Sequence, residues 1–265
     1  MKITADCHVH SNTSPDAKDS IDAMCQAAIA KGLRYICFTN HHEIFPGDPT
    51  PRDFILNFQA YDEEIAAARD KYSHKLKILQ GVEFGCPHRH PKEYEELLKK
   101  DLDMIIASLH FMPVNFAVHY LWSSTECMLA EAGKYFTQRY FEEMEALSAV
   151  AGFQVLAHMD WPKHALPQFE EIEALKPIIF ENLLKNKAVL EINTKALVNG
   201  CREFYPAYRF LEQYKALGGK RLTVGSDAHN TEELAGFFPQ VEDYLSENPF
   251  EIGYFEKKKF IQLDN

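Results

Sequence analysis

Short apolar runs that end in polar side chains recur along the whole chain and restrict the folds that it can adopt. Each of seven runs stops at histidine, aspartate, glutamate, asparagine or lysine, which are residue types that bind metal ions or phosphate. Strands that present polar groups only at their carboxyl ends are typical of an α/β barrel, whose active site lies at that end. We therefore expect metal-binding residues at the mouth of such a barrel. The runs are 3–7, 35–39, 78–82, 104–109, 153–157, 189–192 and 222–226.

Helical patterns alternate with the predicted strands. Their apolar spacing predicts helices over 20–31, 53–72, 91–99, 124–151, 170–186, 206–217 and 232–245, with a break or kink at Pro177 and a terminal strand or strap over 254–263. This alternation predicts parallel strands with right-handed crossovers that close into a barrel. A doubly wound sheet is the alternative, but no glycine-rich phosphate loop follows the first strand. Since no linker divides the chain, we expect one domain over residues 1–265.

The composition narrows the classes of partner. A net charge of −11 argues against a nucleic-acid groove, which requires a basic stripe. The six cysteines are scattered without a C-x-x-C pair, a pattern typical of reduced thiols in a cytoplasmic protein. No apolar run approaches the ~18 residues of a membrane span. We expect a cytoplasmic protein without nucleic acid or membrane partners, although local positive clusters could still bind a phosphorylated substrate. The sequence leaves the oligomeric state open.

Two pairs of polar residues at strand ends indicate metal binding. His8 and His10 are separated by one residue at a predicted strand end, so both side chains leave the same face. Such a pair alone is equally compatible with two solvent-exposed histidines. Asp227 and His229 repeat the spacing at another strand end, which favours the metal-binding interpretation. Imidazole and carboxylate ligands without sulfur suit Zn, Mn or Fe. Further single ligands are expected from Glu83, His110 and His158.

The order of these motifs resembles that of the PHP (polymerase and histidinol phosphatase) superfamily. The resemblance rests on the two pairs and on four further segments, namely Thr39-Asn40-His41, Gly81-Val82-Glu83, Ser108-Leu109-His110 and Ala157-His158-Met159-Asp160. It spans the chain from His8 to His229. Length and the segments 81–85, 191–195 and 218–229 are most similar to the stand-alone histidinol-phosphate phosphatases. The resemblance implies a distorted (β/α)7 barrel and a metal-dependent phosphomonoesterase of histidine biosynthesis that hydrolyses L-histidinol phosphate.

The resemblance also implies a set of ligands for three divalent metal ions. Glu83 is expected to bridge the first two ions. The first ion is assigned to His8, His10, Glu83 and Asp227, the second to Glu83, His110 and His158, and the third to Asp16, His41 and His229. Asp16 alone would be an ordinary loop acid. A hydroxide bridging the first two ions is expected to attack phosphorus directly, without a phosphoenzyme.

The candidates for substrate contacts and proton transfer are less specific. Lys163 and Lys195 are expected to clamp the phosphate, and Arg89 to contact an anionic group, although each could be an ordinary surface residue. Asp160 is expected either to protonate the leaving group or to orient a ligand. Two positions depart from the family pattern. Neutral Asn40 predicts looser support around His41, and Lys195 stands where an arginine is expected, which removes bidentate phosphate binding.

Three other functions are compatible with parts of the pattern. A PHP-type phosphoesterase for nucleotides or sugar phosphates would use the same residues, whereas a nuclease is disfavoured by the acidic charge. A metal-dependent amidohydrolase also uses H-x-H on a barrel, but it requires a lysine bridge where this chain has Glu83. A regulatory protein with a degenerate metal site is the third alternative. It is disfavoured because all nine ligand positions carry residues that bind metals.

Overall fold

The computed structural model describes residues 2–44, 55–114, 117–120, 130–164 and 177–264. The strands of its main sheet are β1 (Ala5–Val9), β2 (Tyr35–Phe38), β3 (His41–His42), β4 (Lys77–Gly85), β5 (Met104–Ser108), β8 (Val155–Leu156), β9 (Val189–Asn193), β10 (Arg221–Gly225), β11 (Glu251–Glu256) and β12 (Lys259–Gln262). Their order in the sheet is β1-β2-β4-β5-β8-β9-β10-β11-β12, with β3 beside β4. The pairings are parallel except for β11 with β12. A separate antiparallel pair is formed by β6 (Phe111–Val114) and β7 (Ala117–Tyr120).

The first and seventh of the predicted strands meet at their carboxyl ends. Val9 and Ala228 form an isolated parallel bridge. The Asp227 N–H donates to the His8 carbonyl at 2.8 Å, and the His10 N–H donates to the Ala228 carbonyl at 2.9 Å. These bonds bring both histidine-containing pairs to one place, although the continuous sheet itself runs on from β10 to β11.

Helices alternate with the parallel strands, as the sequence predicts. Their bounds are α1 (Ile21–Ala30), α2 (Phe58–Tyr72), α3 (Pro91–Leu98), α4 (Ala130–Ser148), α5 (Ile178–Asn186), α6 (Lys195–Val198), α7 (Tyr208–Ala216) and α8 (Phe238–Glu247). The Ser20 side chain caps α1 by accepting from the Ala23 N–H at 3.2 Å. One face of α1 is buried, with Ile21, Met24, Cys25 and Ala28 on it. The predicted α/β fold class is confirmed.

Several predicted boundaries differ from the observed ones. The helix predicted from residue 232 begins at Phe238, because Ala235 and Phe237 have φ of 51° and 59°, which an α-helix does not accommodate. The terminal segment forms the two strands β11 and β12. Pro177 immediately precedes α5. The predicted helical residues 53–54, 124–129 and 170–176 lie outside the described residues. Within the described ranges, no helix combines the length and apolar character that a membrane crossing requires.

Candidate metal centre

All nine predicted metal ligands converge at the carboxyl ends of the parallel strands. His8 belongs to β1, His41 to β3 and Glu83 to β4, while the others follow β1, β5, β8 and β10 in the chain. They lie in or beside a cavity of about 470 Å³, into which Asp16, His41, Glu83, His110, His158, Asp227 and His229 project. His8 and His10 lie behind this lining and are fully buried. The fold therefore brings together residues that are up to 221 positions apart in the sequence, from His8 to His229.

The first group comprises His8, His10, Glu83 and Asp227. Glu83 Oε2 lies 3.3 Å from His8 Nε2 and 3.5 Å from His10 Nε2. Asp227 Oδ1 lies 3.7 Å and 3.3 Å from the same two nitrogens. Four ligands at 2.0 Å from a tetrahedral zinc ion are about 3.3 Å apart, so these spacings match such a shell.

Unpartnered nitrogens support the same interpretation. His8 Nε2 and His10 Nε2 are buried and have no hydrogen-bond partner among the described residues. Buried polar atoms are normally satisfied, and both nitrogens face the carboxylates of the first group. A cation among these atoms would satisfy them, so the donor set fits a divalent metal ion.

The second group is built on the other oxygen of Glu83. Glu83 Oε1 lies 3.2 Å from His110 Nε2 and 2.9 Å from His158 Nε2. The two histidine nitrogens are 3.4 Å apart. Each carboxylate oxygen of Glu83 thus faces a different group of histidines, which is the arrangement of a carboxylate that bridges two cations.

The third group is more open to solvent. Asp16 Oδ2 lies 3.3 Å from both His41 Nε2 and His229 Nε2. The Asp16 side chain is 42% exposed, whereas Glu83 is 1% exposed. Ligand atoms of His10, His41 and His229 also lie close enough to share a cation. This group therefore adjoins the first one on the solvent side of the cavity.

The electrostatics of the site hold its central carboxylates ionised but act differently on its histidines. Burial opposes a positive charge on His8, His41 and His110, but the neighbouring carboxylates outweigh it, raising the pKa of His8 and His41 well above the usual range and that of His110 to about 10. Burial, together with neighbouring His229 and His41, lowers the pKa of His10 to about 3. Burial opposes the negative charge of Glu83, but His110, His8 and His41 outweigh it and hold the pKa of this carboxyl well below its usual range. The neutral imidazole and the carboxylate are the protonation states that bind metal ions.

Hydrogen bonds to the outer nitrogens orient several ligands. His8 Nδ1 lies 2.7 Å from Glu191 Oε1, and His110 Nδ1 lies 2.6 Å from Glu43 Oε1. A carboxylate that accepts from Nδ1 leaves Nε2 free for a metal ion. Neither glutamate has a role that was expected from the sequence. A glutamate inside the buried β9 run was a visible signal for Glu191, whereas nothing local distinguishes Glu43.

Asn40 orders the loop that carries Asp16. Its Oδ1 accepts from the Ser11 N–H at 2.8 Å and from Ser14 Oγ at 3.1 Å. Ser14 Oγ in turn accepts from the His41 N–H at 3.0 Å. The looser support expected around His41 stays a prediction. His41 also has two carboxylate neighbours, since Glu83 Oε2 and Glu43 Oε1 lie 3.0 Å and 3.6 Å from its Nδ1.

The three predicted phosphate contacts have different positions. Lys195 lines the cavity, and its Nζ lies 2.6 Å from Glu233 Oε2. Lys163 is buried against Asp160 and the Phe204 carbonyl. Arg89 forms a two-bond ion pair with Glu143 at 2.8 Å and 2.5 Å. Over the described ranges, neither Lys163 nor Arg89 is among the residues that line the cavity.

Asp160 is fully buried beside the site. Its Oδ2 accepts from the Ala207 N–H at 2.8 Å and from Lys163 Nζ at 3.0 Å. Burial raises the pKa of this carboxyl. Asp160 also lies outside the described cavity lining, which instead includes Trp161 and His164 of the 3₁₀ helix Trp161–His164. The contacts of Asp160 hold the segment around Ala207 and the Lys163 side chain in place.

Comparison with known proteins decides the family. A family model described as the PHP domain matches residues 6–195. The chain belongs to the PHP domain family. The matched region contains seven of the nine predicted ligands, with Asp227 and His229 beyond it. The family membership expected from the sequence motifs is therefore confirmed.

Relatives within the PHP family include named phosphatases. The chain is 30% identical to a histidinol-phosphatase of Lactococcus lactis, over 84% of this chain and 83% of that protein. It is 26% identical to a probable histidinol-phosphatase of Thermotoga maritima, over 97% and 98% of the two chains. The crystal structure of a Lactococcus lactis histidinol phosphate phosphatase, complexed with zinc, L-histidinol and phosphate, matches with a TM-score of 0.81 at 25% identity. That match covers 98% of this chain and 99% of the other.

Proposed function

We propose that this PHP-family protein hydrolyses L-histidinol phosphate to L-histidinol and phosphate, using three divalent metal ions. The observation that carries the proposal is the position of Glu83, whose two carboxylate oxygens face separate groups of histidines. The relatives named as histidinol-phosphatases, and the relative complexed with zinc, histidinol and phosphate, support the phosphatase reaction and divalent-metal binding. They also support this choice of substrate.

The proposed ligands fit the chemistry of phosphate ester hydrolysis. Bound metal ions supply Lewis acidity, which neutralises phosphoryl oxygens and makes hydroxide available near neutral pH. Glu83 holds the first two groups at a fixed separation through its two oxygens. His8 and His10 keep their Nε2 atoms directed at the first group, because Glu191 and Ser14 contact their Nδ1 atoms at 2.7 Å and 3.3 Å. The third group of Asp16, His41 and His229 is proposed to bind the phosphate side of the substrate.

Lys195 is the proposed phosphate contact from a side chain of the barrel mouth. Among the cavity-lining residues in the described part of the chain, it is the one lysine or arginine. Its partner Glu233 also accepts from the His229 N–H at 3.0 Å, which places the lysine beside the third group. A phosphate at this position would compete with Glu233 for the ammonium group. We propose an orienting role for Asp160, because its contacts are to Lys163 and Ala207 rather than to the cavity.

Two aromatic residues are proposed to contact the imidazole end of the substrate. Trp161 and His164 line the cavity together, with ring centroids 4.6 Å apart. They are three residues apart in a 3₁₀ helix, so they lie on the same face. Aromatic faces stack favourably on a planar imidazole ring.

The cytoplasmic location expected from the cysteine pattern stays a prediction.

The test is phosphate release from a panel of L-histidinol phosphate, nucleotides and sugar phosphates, with metal-analysed protein and added Zn or Mn. We expect histidinol phosphate to have the highest kcat/KM, and His8→Ala to abolish release. Glu96→Gln, a change at an exposed glutamate of α3, is the control for handling and metal content. Preference for another phosphoester would retain the metal chemistry and overturn the substrate assignment. Release from no ester by the metal-loaded protein would overturn the phosphatase proposal.

A further inference from the structure

Glu43 is a buried carboxylate in the cavity that is not among the nine proposed metal ligands. It follows the short strand β3, is 1% exposed and lines the cavity. Its Oε1 lies 2.6 Å from His110 Nδ1. Its Oε2 is buried without a hydrogen-bond partner among the described residues. Burying a charged group is costly unless hydrogen bonds or opposite charges compensate it, and here only Oε1 has such a partner among the described residues.

A glycine in the neighbouring strand makes room for this carboxylate. β3 pairs with β4 in parallel, with His41 beside Glu83 and His42 beside Phe84. Glu43, the residue after β3, therefore comes beside Gly85, the last residue of β4. A Cβ at position 85 would lie 1.7 Å from Glu43 Oε2 and 2.5 Å from its Cδ. Gly85 is absent from the described residues with positive φ, so backbone conformation does not explain the glycine. Space for Glu43 does explain it.

We propose that Glu43, seated on Gly85, is a positioning residue for His110 and hence for the second metal group. The carboxylate accepts from His110 Nδ1–H, which fixes the tautomer and the ring orientation. His110 Nε2 is then directed at Glu83 Oε1 and His158 Nε2, at 3.2 Å and 3.4 Å. This inference rests on the proposed metal-dependent phosphatase function.

The same arrangement occurs independently at the first group. Glu191 contacts His8 Nδ1 at 2.7 Å, and a Cβ at Gly225 would lie 2.4 Å from His8 Cβ and 2.5 Å from Glu191 Oε1, so this glycine makes room for both side chains. Gly225, like Gly85, ends a strand of the parallel sheet. Two metal histidines on different strands are thus each oriented by a glutamate that occupies the space beside a strand-end glycine. This repetition is the arrangement expected if the glycine and the glutamate act as a unit.

The experiment compares Glu43→Ala, Gly85→Ala, the double variant and Glu43→Gln in the full chain. The measurements are metal retained per chain against a competing chelator, kcat and KM separately, and thermal unfolding to establish folding. We expect Glu43→Ala and Gly85→Ala each to weaken retention of one ion by about 10–100-fold, the range for loss of an outer partner of a metal ligand. kcat falls with it, while KM changes little. Glu96→Gln is the control at an exposed glutamate.

Two comparisons distinguish the proposal from a general loss of structure. The double variant should be no worse than Glu43→Ala, because Gly85→Ala acts by displacing the carboxylate. Glu43→Gln should retain more metal than Glu43→Ala, because the amide oxygen still accepts from His110 Nδ1–H. Additive losses, or full metal retention in Glu43→Ala, would overturn the proposal. Equal loss in Glu43→Gln and Glu43→Ala would also overturn it, by indicating that the carboxylate binds the ion directly.

The outcome is separable from that of the proposed function. If the wild-type protein releases no phosphate from any ester, the proposed phosphatase function is refuted, but the variants can still be compared by the amount of metal that each retains. If the protein is an active phosphatase and the variants retain metal and kcat like the wild type, the role of Glu43 alone fails. If Gly85→Ala does not fold, the contrast between Glu43→Ala and Glu43→Gln decides.

Discussion

Replacing Glu83 with glutamine tests whether one carboxylate supports two metal groups. Glu83 Oε2 lies within 3.5 Å of two histidine nitrogens of the first group, and Oε1 lies within 3.2 Å of two in the second. Glutamine has one ligating oxygen and no charge, so both groups lose an anionic ligand at once. Binding of metal ions should therefore weaken at both groups rather than at one.

The size of the effect follows from binding linkage. An ion at a free concentration 100 times its Kd stabilises the fold by about 2.7 kcal/mol, so two groups contribute roughly 5 kcal/mol. At about 2–4 °C per kcal/mol for a chain of this size, metal should raise the Tm of the wild type by roughly 10–20 °C. If Glu83→Gln weakens each affinity 100-fold, each group contributes only about 0.4 kcal/mol at the same concentration. The rise in Tm then falls to roughly 2–3 °C.

The assay is a thermal melt of wild type and Glu83→Gln, each with chelator and with a fixed free Zn or Mn concentration. Only the difference between the two conditions is compared, so the effect of the substitution on the metal-free protein cancels. Glu96→Gln, which is 72% exposed in its side chain, should show the wild-type increase. A full metal-induced increase in Tm for Glu83→Gln would refute the reasoning that Glu83 joins both groups.

Three further predictions concern the residues around the site. Lys195→Ala should raise KM for a phosphate ester about tenfold, which corresponds to the ~1.4 kcal/mol of one lost charge contact. Lys163→Ala should instead mainly lower the Tm. Steady-state kinetics and thermal melts of both variants check these two expectations. Trp161→Ala should raise KM for histidinol phosphate more than KM for a small sugar phosphate, and equal increases would remove the stacking role. Burial opposes the charge of Glu143, but His88 and Arg89 outweigh it and lower the pKa of this carboxyl to about 2. Because this pKa is lower in the folded protein, the ion pair of Glu143 adds on the order of 3 kcal/mol to the free energy of unfolding at pH values above the usual carboxyl pKa. This stabilisation is lost as pH falls from about 5 to 2. Denaturant melts across that range should show the stability gap between wild type and Glu143→Gln closing, and a constant gap would contradict the ion pair.

The convergence of the proposed metal ligands could be predicted because strand ends are recognisable in the sequence. An apolar run that stops at His110 or Glu83 identifies both the strand and the end at which its polar residue lies. In a parallel sheet these ends meet, so the convergence of ligands needs no knowledge of distant contacts. The nine ligands occupy the three groups to which the family resemblance assigned them, and their binding of ions stays a prediction.

Glu43 could not be predicted, because its role depends on contacts that the local sequence does not encode. It lies 67 residues from His110, and the space that it fills depends on the pairing of β3 with β4 beside Gly85. Its position two residues after His41 has no periodic signal. Only the three-dimensional structure relates the glutamate to the glycine.

Lys163 illustrates a second limit of the sequence. Its distance from a strand end places it near the barrel mouth, but the 3₁₀ helix Trp161–His164 determines its direction. Residues three apart share a face of such a helix, so Trp161 and His164 line the cavity while Lys163 turns to Asp160. The loop before α8 shows the same limit, since apolar spacing does not reveal the left-handed residues Ala235 and Phe237.

Anomalous X-ray diffraction at the zinc edge, from crystals grown with zinc and phosphate, tests most directly whether Glu83 joins two cations in a phosphatase site. We expect two peaks, each about 2.0–2.2 Å from a different oxygen of Glu83, one beside His8 and His10 and the other beside His110 and His158. A single peak, or zinc bound without contact to Glu83, would contradict this expectation.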